Sequence, residues 1–167
     1  MVKEFSIFKD EPATYDSVER FKEICEYSYQ KDSYKHIFQV GEKIVELFCG
    51  KMHDLSQYNF IIAVAYGHDL LEDTLFAKEE DLSKFDEDFI KAISYLTRDK
   101  EKESYKDYII KIKTFYEDSK SKSEYEKKLA EAVYYVKLAD IFDHLSRIKT
   151  LKPSLKKRYL EALDILL

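Results

Sequence analysis

Residues 67–74 read Gly67-His68-Asp69-Leu70-Leu71-Glu72-Asp73-Thr74 and close an apolar run that begins at Phe60. Ile61, Ile62, Ala63, Val64 and Ala65 announce a buried helix, and ionisable side chains follow where that helix is expected to continue. Burying so many polar groups is expensive unless each is paired, hydrogen-bonded or bound to a metal. On a continuous helix His68 and Glu72 lie four apart, as do Asp69 and Asp73, while Asp69 and Glu72 lie three apart, so the polar set occupies two adjoining faces. A nitrogen ligand beside an oxygen ligand suits a divalent metal of intermediate hardness. The bland reading is a polar helix end with Asp69 and Glu72 solvated, and ligands elsewhere in the chain must decide between the two.

Composition sets the frame for that search. A chain of 167 residues fits one domain with a real core. Hydrophobic residues at 45% and charged residues at 37% give a globular balance tilted toward helix, and three Gly and two Pro are too few for the turns of an all-β protein. The class is therefore all-α. Net charge is −5, with no lysine and arginine stripe interleaved with aromatics, which argues against an extended nucleic-acid surface while leaving room for a small phosphorylated ligand. The first twelve residues lack the apolar core of a leader, and no apolar run reaches membrane-spanning length, so a cytoplasmic protein is expected. Cys25 and Cys49 read as reduced packing residues.

Taken in order, the chain reads as a series of helices. Asp16 or Ser17 caps a first one running to about residue 30, with Val18, Phe21, Ile24 and Cys25 inward, and Tyr15, Tyr27 and Tyr29 are expected to fill and edge the core. A second helix over 33–50, ended by Gly50, carries the stripe His36, Val40, Ile44 and Leu47. His36 thus falls among apolar residues, whereas His53 sits in a polar loop and reads as a surface or capping residue. The helix from Ser56 carries the octet, with Thr74 helping to end it, and residues 77–85 read as a short turn or helix. Asp86 caps a helix to Thr97 with Phe89, Ile90, Ile93 and Leu96 buried. After a charged loop over 98–104, the next helix spans 105–117, with Tyr108 as core, and residues 119–123 form a surface connection. The box Ser123 to Glu126 opens the longest helix, expected to reach about residue 150.

The inner stripe of that long helix is Leu129, Val133 and Val136, and the next step of four lands on Asp140. One buried polar residue is unremarkable. Three helices that each place a ligand type on the core face, His36, then His68 with Asp69, then Asp140, favour the metal.

With those residues in view, the chain resembles the HD-domain metal-dependent phosphohydrolases, and among them the hydrolase domain of the bifunctional alarmone enzymes and their small stand-alone relatives. The shared pattern is His36, then HDLLEDT at residues 68–74, then Val136-Lys137-Leu138-Ala139-Asp140. It covers the core from about residue 16 to residue 150. The resemblance implies a single HD-type helical bundle in which His36, His68, Asp69 and Asp140 hold one divalent metal, typically manganese, with Glu72 and Asp73 as the catalytic acidic pair. It further implies a phosphorylated nucleotide substrate, guanosine tetra- or pentaphosphate, cut at its 3′ pyrophosphate. Two imidazoles and two carboxylates leave open positions on an octahedral ion, and paired carboxylates can orient water and shuttle protons. Between Asp69 and Asp140 the sequence has no histidine, so a mononuclear site is expected rather than the two-metal type.

Local differences bear on the substrate. His144 stands where the pattern usually has Asn, Arg147 where Thr is common, and Tyr27 and Ser28 where a basic pair is expected. Candidate phosphate contacts are Lys35, Lys106, Lys137 and Arg147; His144 could contact substrate and Tyr105 could stack on a base. Two other readings stand beside the first: an HD nucleotidase or phosphatase for another nucleotide, and a non-catalytic metal- or nucleotide-binding regulator, against which the pair Glu72 and Asp73 argues. The stretch after Thr150 suffices for one closing helix over 153–167, with Pro153 tolerated at its start, and not for a synthetase domain. Its apolar residues Leu160, Leu163, Ile165, Leu166 and Leu167 pack on the core or pair with another subunit.

Overall fold

The computed structural model describes residues 3–48, 50–51, 54–73 and 82–167, the side chain of Asp73 excepted. The expectations for Cys49, His53, Thr74, residues 77–81 and the Asp73 side chain therefore lie outside the described residues. The helices are α1 (Tyr15–Ser28), α2 (Lys31–Phe48), α3 (Leu55–Gly67), the single turn α4 (Leu70–Asp73), α5 (Glu87–Tyr95), α6 (Tyr105–Ser119), α7 (Glu124–Ser146) and α8 (Pro153–Leu166). The all-α expectation is met. The described residues contain no β-strand, only an isolated bridge between Phe8 and Phe85 that ties the N-terminal segment to the entry of α5.

Two helices form the centre. α3 is apolar nearly all round, with Phe60, Ile61, Ala63, Val64 and Ala65 fully buried, as a helix enclosed on every side must be. Its buried polar groups are satisfied: Asn59 Nδ2 donates to the Ala13 carbonyl at 3.1 Å and Gln57 Nε2 to Glu131 at 3.1 Å. α7 lies against it, with Leu129, Val133, Val136 and Ile141 buried, and each such side chain is worth roughly 1.5–3 kcal/mol. α2 packs on both, α1 and α5 cover α3, and α6 and α8 cover α7. The closing helix thus folds back on its own core. Ala162 and Leu166 are buried, and the Leu166 carbonyl accepts from Tyr134 Oη at 2.7 Å and Lys113 Nζ at 2.5 Å.

Several boundaries differ from expectation for identifiable reasons. Thr14, not Asp16 or Ser17, caps α1, through a reciprocal box in which Thr14 Oγ1 accepts from the Ser17 amide at 3.2 Å and Ser17 Oγ from the Thr14 amide at 2.8 Å. Of the three tyrosines expected around α1, only Tyr29 enters the core; Tyr15 and Tyr27 are exposed. α7 ends at Ser146 rather than near 150, because the following amides bond three residues back: Arg147 to the His144 carbonyl at 3.2 Å and Ile148 to that of Leu145 at 3.1 Å.

The correction that matters most falls inside the octet. The continuous helix expected there is divided, α3 ending at Gly67 and α4 beginning at Leu70. Gly67 is where α1 and α5 close on α3: a Cβ there would stand 3.1 Å from Phe89, 3.2 Å from Ile93 and 3.2 Å from Phe21. The chain then makes a tight turn in which the Glu72 amide bonds to the Asp69 carbonyl at 3.1 Å. Carbonyls in the last turn of α3 are left to side chains. That of Tyr66 accepts from Tyr29 Oη at 3.0 Å, and that of Ala65 accepts from His68 Nδ1 at 2.7 Å.

Candidate metal centre

His36 on α2, His68 and Asp69 at the break after α3, and Asp140 on α7 converge at one point. His36 Nε2 lies 3.2 Å from Asp140 Oδ1 and 3.9 Å from Asp69 Oδ2, while His68 Nε2 lies 3.3 Å from Asp69 Oδ2 and 3.8 Å from Asp140 Oδ1. Adjacent ligands of an octahedral ion with bonds of about 2.1 Å stand about 3 Å apart, so the set has the dimensions of a coordination shell. All four residues anticipated as metal ligands are brought together.

The hydrogen bonds on the far side of each ring sharpen this. His68 Nδ1–H donates to the Ala65 carbonyl, and His36 Nδ1–H donates to Asp143 Oδ2 at 2.9 Å. A neutral imidazole that donates from Nδ1 carries its lone pair on Nε2. Two nitrogen lone pairs therefore face two carboxylates, and His68 Nε2 is buried with no hydrogen-bond partner. Such an array requires positive charge in its midst, either protons on the rings or a metal ion. With protons alone, burial pushes His36 down, but its hydrogen bonds to Asp140 and Asp143 outweigh this and raise it to about 10. Burial likewise opposes charge on His68, yet Asp69 and Asp140 raise it, while Lys137 and the histidines hold Asp140 well below the usual carboxylate range. Two nitrogens and two oxygens with preset lone pairs are a donor set that could hold a divalent ion.

Asp143 is the supporting residue that sequence reasoning passed over. It lies one helical turn beyond Asp140 and accepts from both His36 and Arg147, whose Nη2 is 2.7 Å away. The i,i+4 pair of Asp143 and Arg147 was visible in the sequence, but its use for His36, 107 residues away, was not. Arg147, expected to contact phosphate, pairs with Asp143 and is not among the residues that line the cleft beside the cluster. Lys137 is committed too, its Nζ 2.7 Å from Asp140 Oδ2 in a buried pair.

A cleft of about 260 Å³ opens beside the cluster, with Asp69, Glu72 and Asp140 facing Arg98, Lys100, Lys137 and Arg158. Glu72 Oε1 accepts from the Arg98 amide at 3.2 Å, and its Oε2 is 3.8 Å from Lys100 Nζ. Tyr105 and His144 line the same cleft. The Tyr105 ring lies under the guanidinium groups of Arg158 and Arg98, at 5.2 and 5.7 Å. Lys35 is exposed and away from the cleft, and Lys106 lines a neighbouring cavity of about 580 Å³ that shares only Tyr105 and Arg158 with it. Besides the expected Lys137, the cations that line the cleft, Arg98, Lys100 and Arg158, come from a loop and the closing helix, where one basic residue looks like any other in sequence.

Among known proteins, the chain matches no family model and no curated protein. No helix among the described residues is long and apolar enough to cross a membrane.

Proposed function

We propose that the chain is a metal-dependent phosphohydrolase of the HD type acting on a nucleotide polyphosphate, with guanosine tetra- or pentaphosphate as the first substrate and pyrophosphate as the released product. The observation that carries this reading is the array of two Nε2 atoms facing Asp69 and Asp140 at the edge of a cleft lined by cations. His36, His68, Asp69 and Asp140 would hold the ion. When bound, a divalent ion such as manganese polarises a phosphate and makes water more acidic.

The remaining work falls to side chains. Arg98, Lys100 and Arg158 bind phosphate oxygens and spread the charge that grows as the phosphorus centre is attacked. Glu72, fixed by the Arg98 amide, accepts the proton of the attacking water. The water oxygen bonds to phosphorus, the bond from phosphorus to the nucleotide's 3′ oxygen breaks, and that oxygen takes up a proton. Asp73 is the second acid of this reading. A cytoplasmic setting suits a soluble nucleotide and agrees with the buried free thiol of Cys25.

One observation favours a second substrate. Tyr27, which stands where the resemblance expects a basic residue, is exposed to solvent, and of the candidate phosphate contacts Lys35 lies outside the cleft and Arg147 pairs with Asp143. Those departures support, as a second reading, an HD nucleotidase or phosphatase for another nucleotide. The test is product analysis with guanosine tetraphosphate and manganese, beside a metal-free control. Metal-dependent release of pyrophosphate with GDP is expected. Release of phosphate alone from a different nucleotide would favour the second reading, and no turnover on any nucleotide by metal-loaded protein would defeat both.

A further inference from the structure

We infer that His144 is a third imidazole ligand of the divalent ion, an inference that rests on the metal reading above. Its Nε2 lies 3.2 Å from Asp140 Oδ1, the same distance from that oxygen as His36 Nε2. Two triads of ligand atoms result, His36 with His68 and Asp69, and His36 with Asp140 and His144, each with all atoms within 4.8 Å of one another. Asp140 Oδ2 is taken by Lys137, so Oδ1 is the oxygen left for the ion, and His144 stands beside it.

The ring is also held in place as a ligand needs to be. One side stacks on Tyr159 of α8, with centroids 4.5 Å apart and planes 6° from parallel, and the His36 ring stands 4.7 Å away at 36°. The closing helix thereby holds the plane of the His144 ring. Its side chain is about one-quarter exposed, against 4% for His68, so it occupies the cleft-facing side of the cluster.

Three imidazoles and two carboxylates leave one of six positions for water or substrate. Phosphate would then be gripped chiefly by Arg98, Lys100 and Arg158, which line the cleft on that side. A nitrogen-rich set also moves preference away from magnesium toward ions that favour imidazole, such as cobalt, iron and zinc.

The alternative is that His144 only donates a hydrogen bond to Asp140, and counting coordinated nitrogens separates the two. The full chain is loaded with Mn²⁺, and imidazole nitrogens are counted by electron spin-echo modulation, with Co²⁺ absorption as a second probe. Three nitrogens in the parent and two in His144→Asn are expected, with metal binding weakened about 100-fold, the upper end of what loss of a supporting hydrogen bond costs. Asn is too short to place its amide where His144 Nε2 stands beside Asp140, so His144→Gln, whose amide reaches that point and can still donate to Asp140, is the control that keeps the hydrogen bond and is also expected to show two imidazole nitrogens. Two nitrogens in the parent would overturn the inference and leave the metal reading standing. Failure of the parent to bind any divalent ion would overturn both.

Discussion

The imidazole of His36 is clamped between two carboxylates of one helix, donating from Nδ1 to Asp143 at 2.9 Å while its Nε2 faces Asp140 at 3.2 Å. One turn of α7 therefore supplies both a proposed ligand and the group that orients another ligand. Supporting partners of this kind typically govern affinity by 10–100-fold. Asp143→Asn is expected to weaken divalent metal binding by about that factor with little change in secondary structure, measured by calorimetric titration. Unaltered affinity would remove Asp143 from the site.

Asp140→Ala should abolish metal binding and also destabilise the fold, because it strands the buried Lys137 ammonium. Breaking a buried pair from one side costs about 3–5 kcal/mol. Denaturant unfolding and metal content measure the two effects separately, and a variant with full metal content would refute the ligand assignment.

In metal-free protein His36 is raised from 6.5 to about 10, since Asp140 and Asp143 outweigh the downward push of burial. A raised native pKa stabilises the fold fully below the unfolded value and is lost as pH climbs through the native one. The melting temperature of metal-free protein should therefore fall between about pH 6.5 and 10. Bound metal replaces the proton, so the loaded protein should show a flatter profile over that range, and its affinity should weaken as pH falls. Identical profiles with and without metal would contradict this.

Glu72→Gln should leave metal content and melting temperature near those of the parent, because Glu72 is only partly buried and its partners are an amide and a distant lysine. Loss of a proton acceptor typically lowers turnover about 10²–10⁴-fold. Steady-state kinetics on metal-loaded protein decide the matter, and an unchanged kcat would exclude Glu72 from proton transfer.

Gly67→Ala places a methyl group against Phe89, Ile93 and Phe21 at 3.1–3.2 Å. Overpacking of this kind costs about 1–3 kcal/mol, and the strain falls on the break that aims His68. A drop in both unfolding free energy and metal affinity is expected. A loss of stability with metal affinity intact would show that the break tolerates movement.

Much of this was legible in the residues themselves. Periodicity placed His36 and Asp140 on buried stripes of two helices, and the run from Phe60 into His68 and Asp69 marked a third buried polar point, because burial and ligand type are local properties. Local spacing could not say that the octet breaks at Gly67. At Gly67, where α3 ends, Phe21 and Phe89 are brought in from α1 and α5 and leave little room for a side chain. Nor could it choose among equivalent cations. Lys35, Lys106 and Arg147 looked as suitable as Arg98, Lys100 and Arg158, and only the packing of α8 and the 98–104 loop across the cleft separates the two sets. Side-chain chemistry and helical phase are written along the chain. Which hydrogen bond orients His36, and which ring stacks on His144, depends on residues far apart in sequence, and tertiary packing decides it.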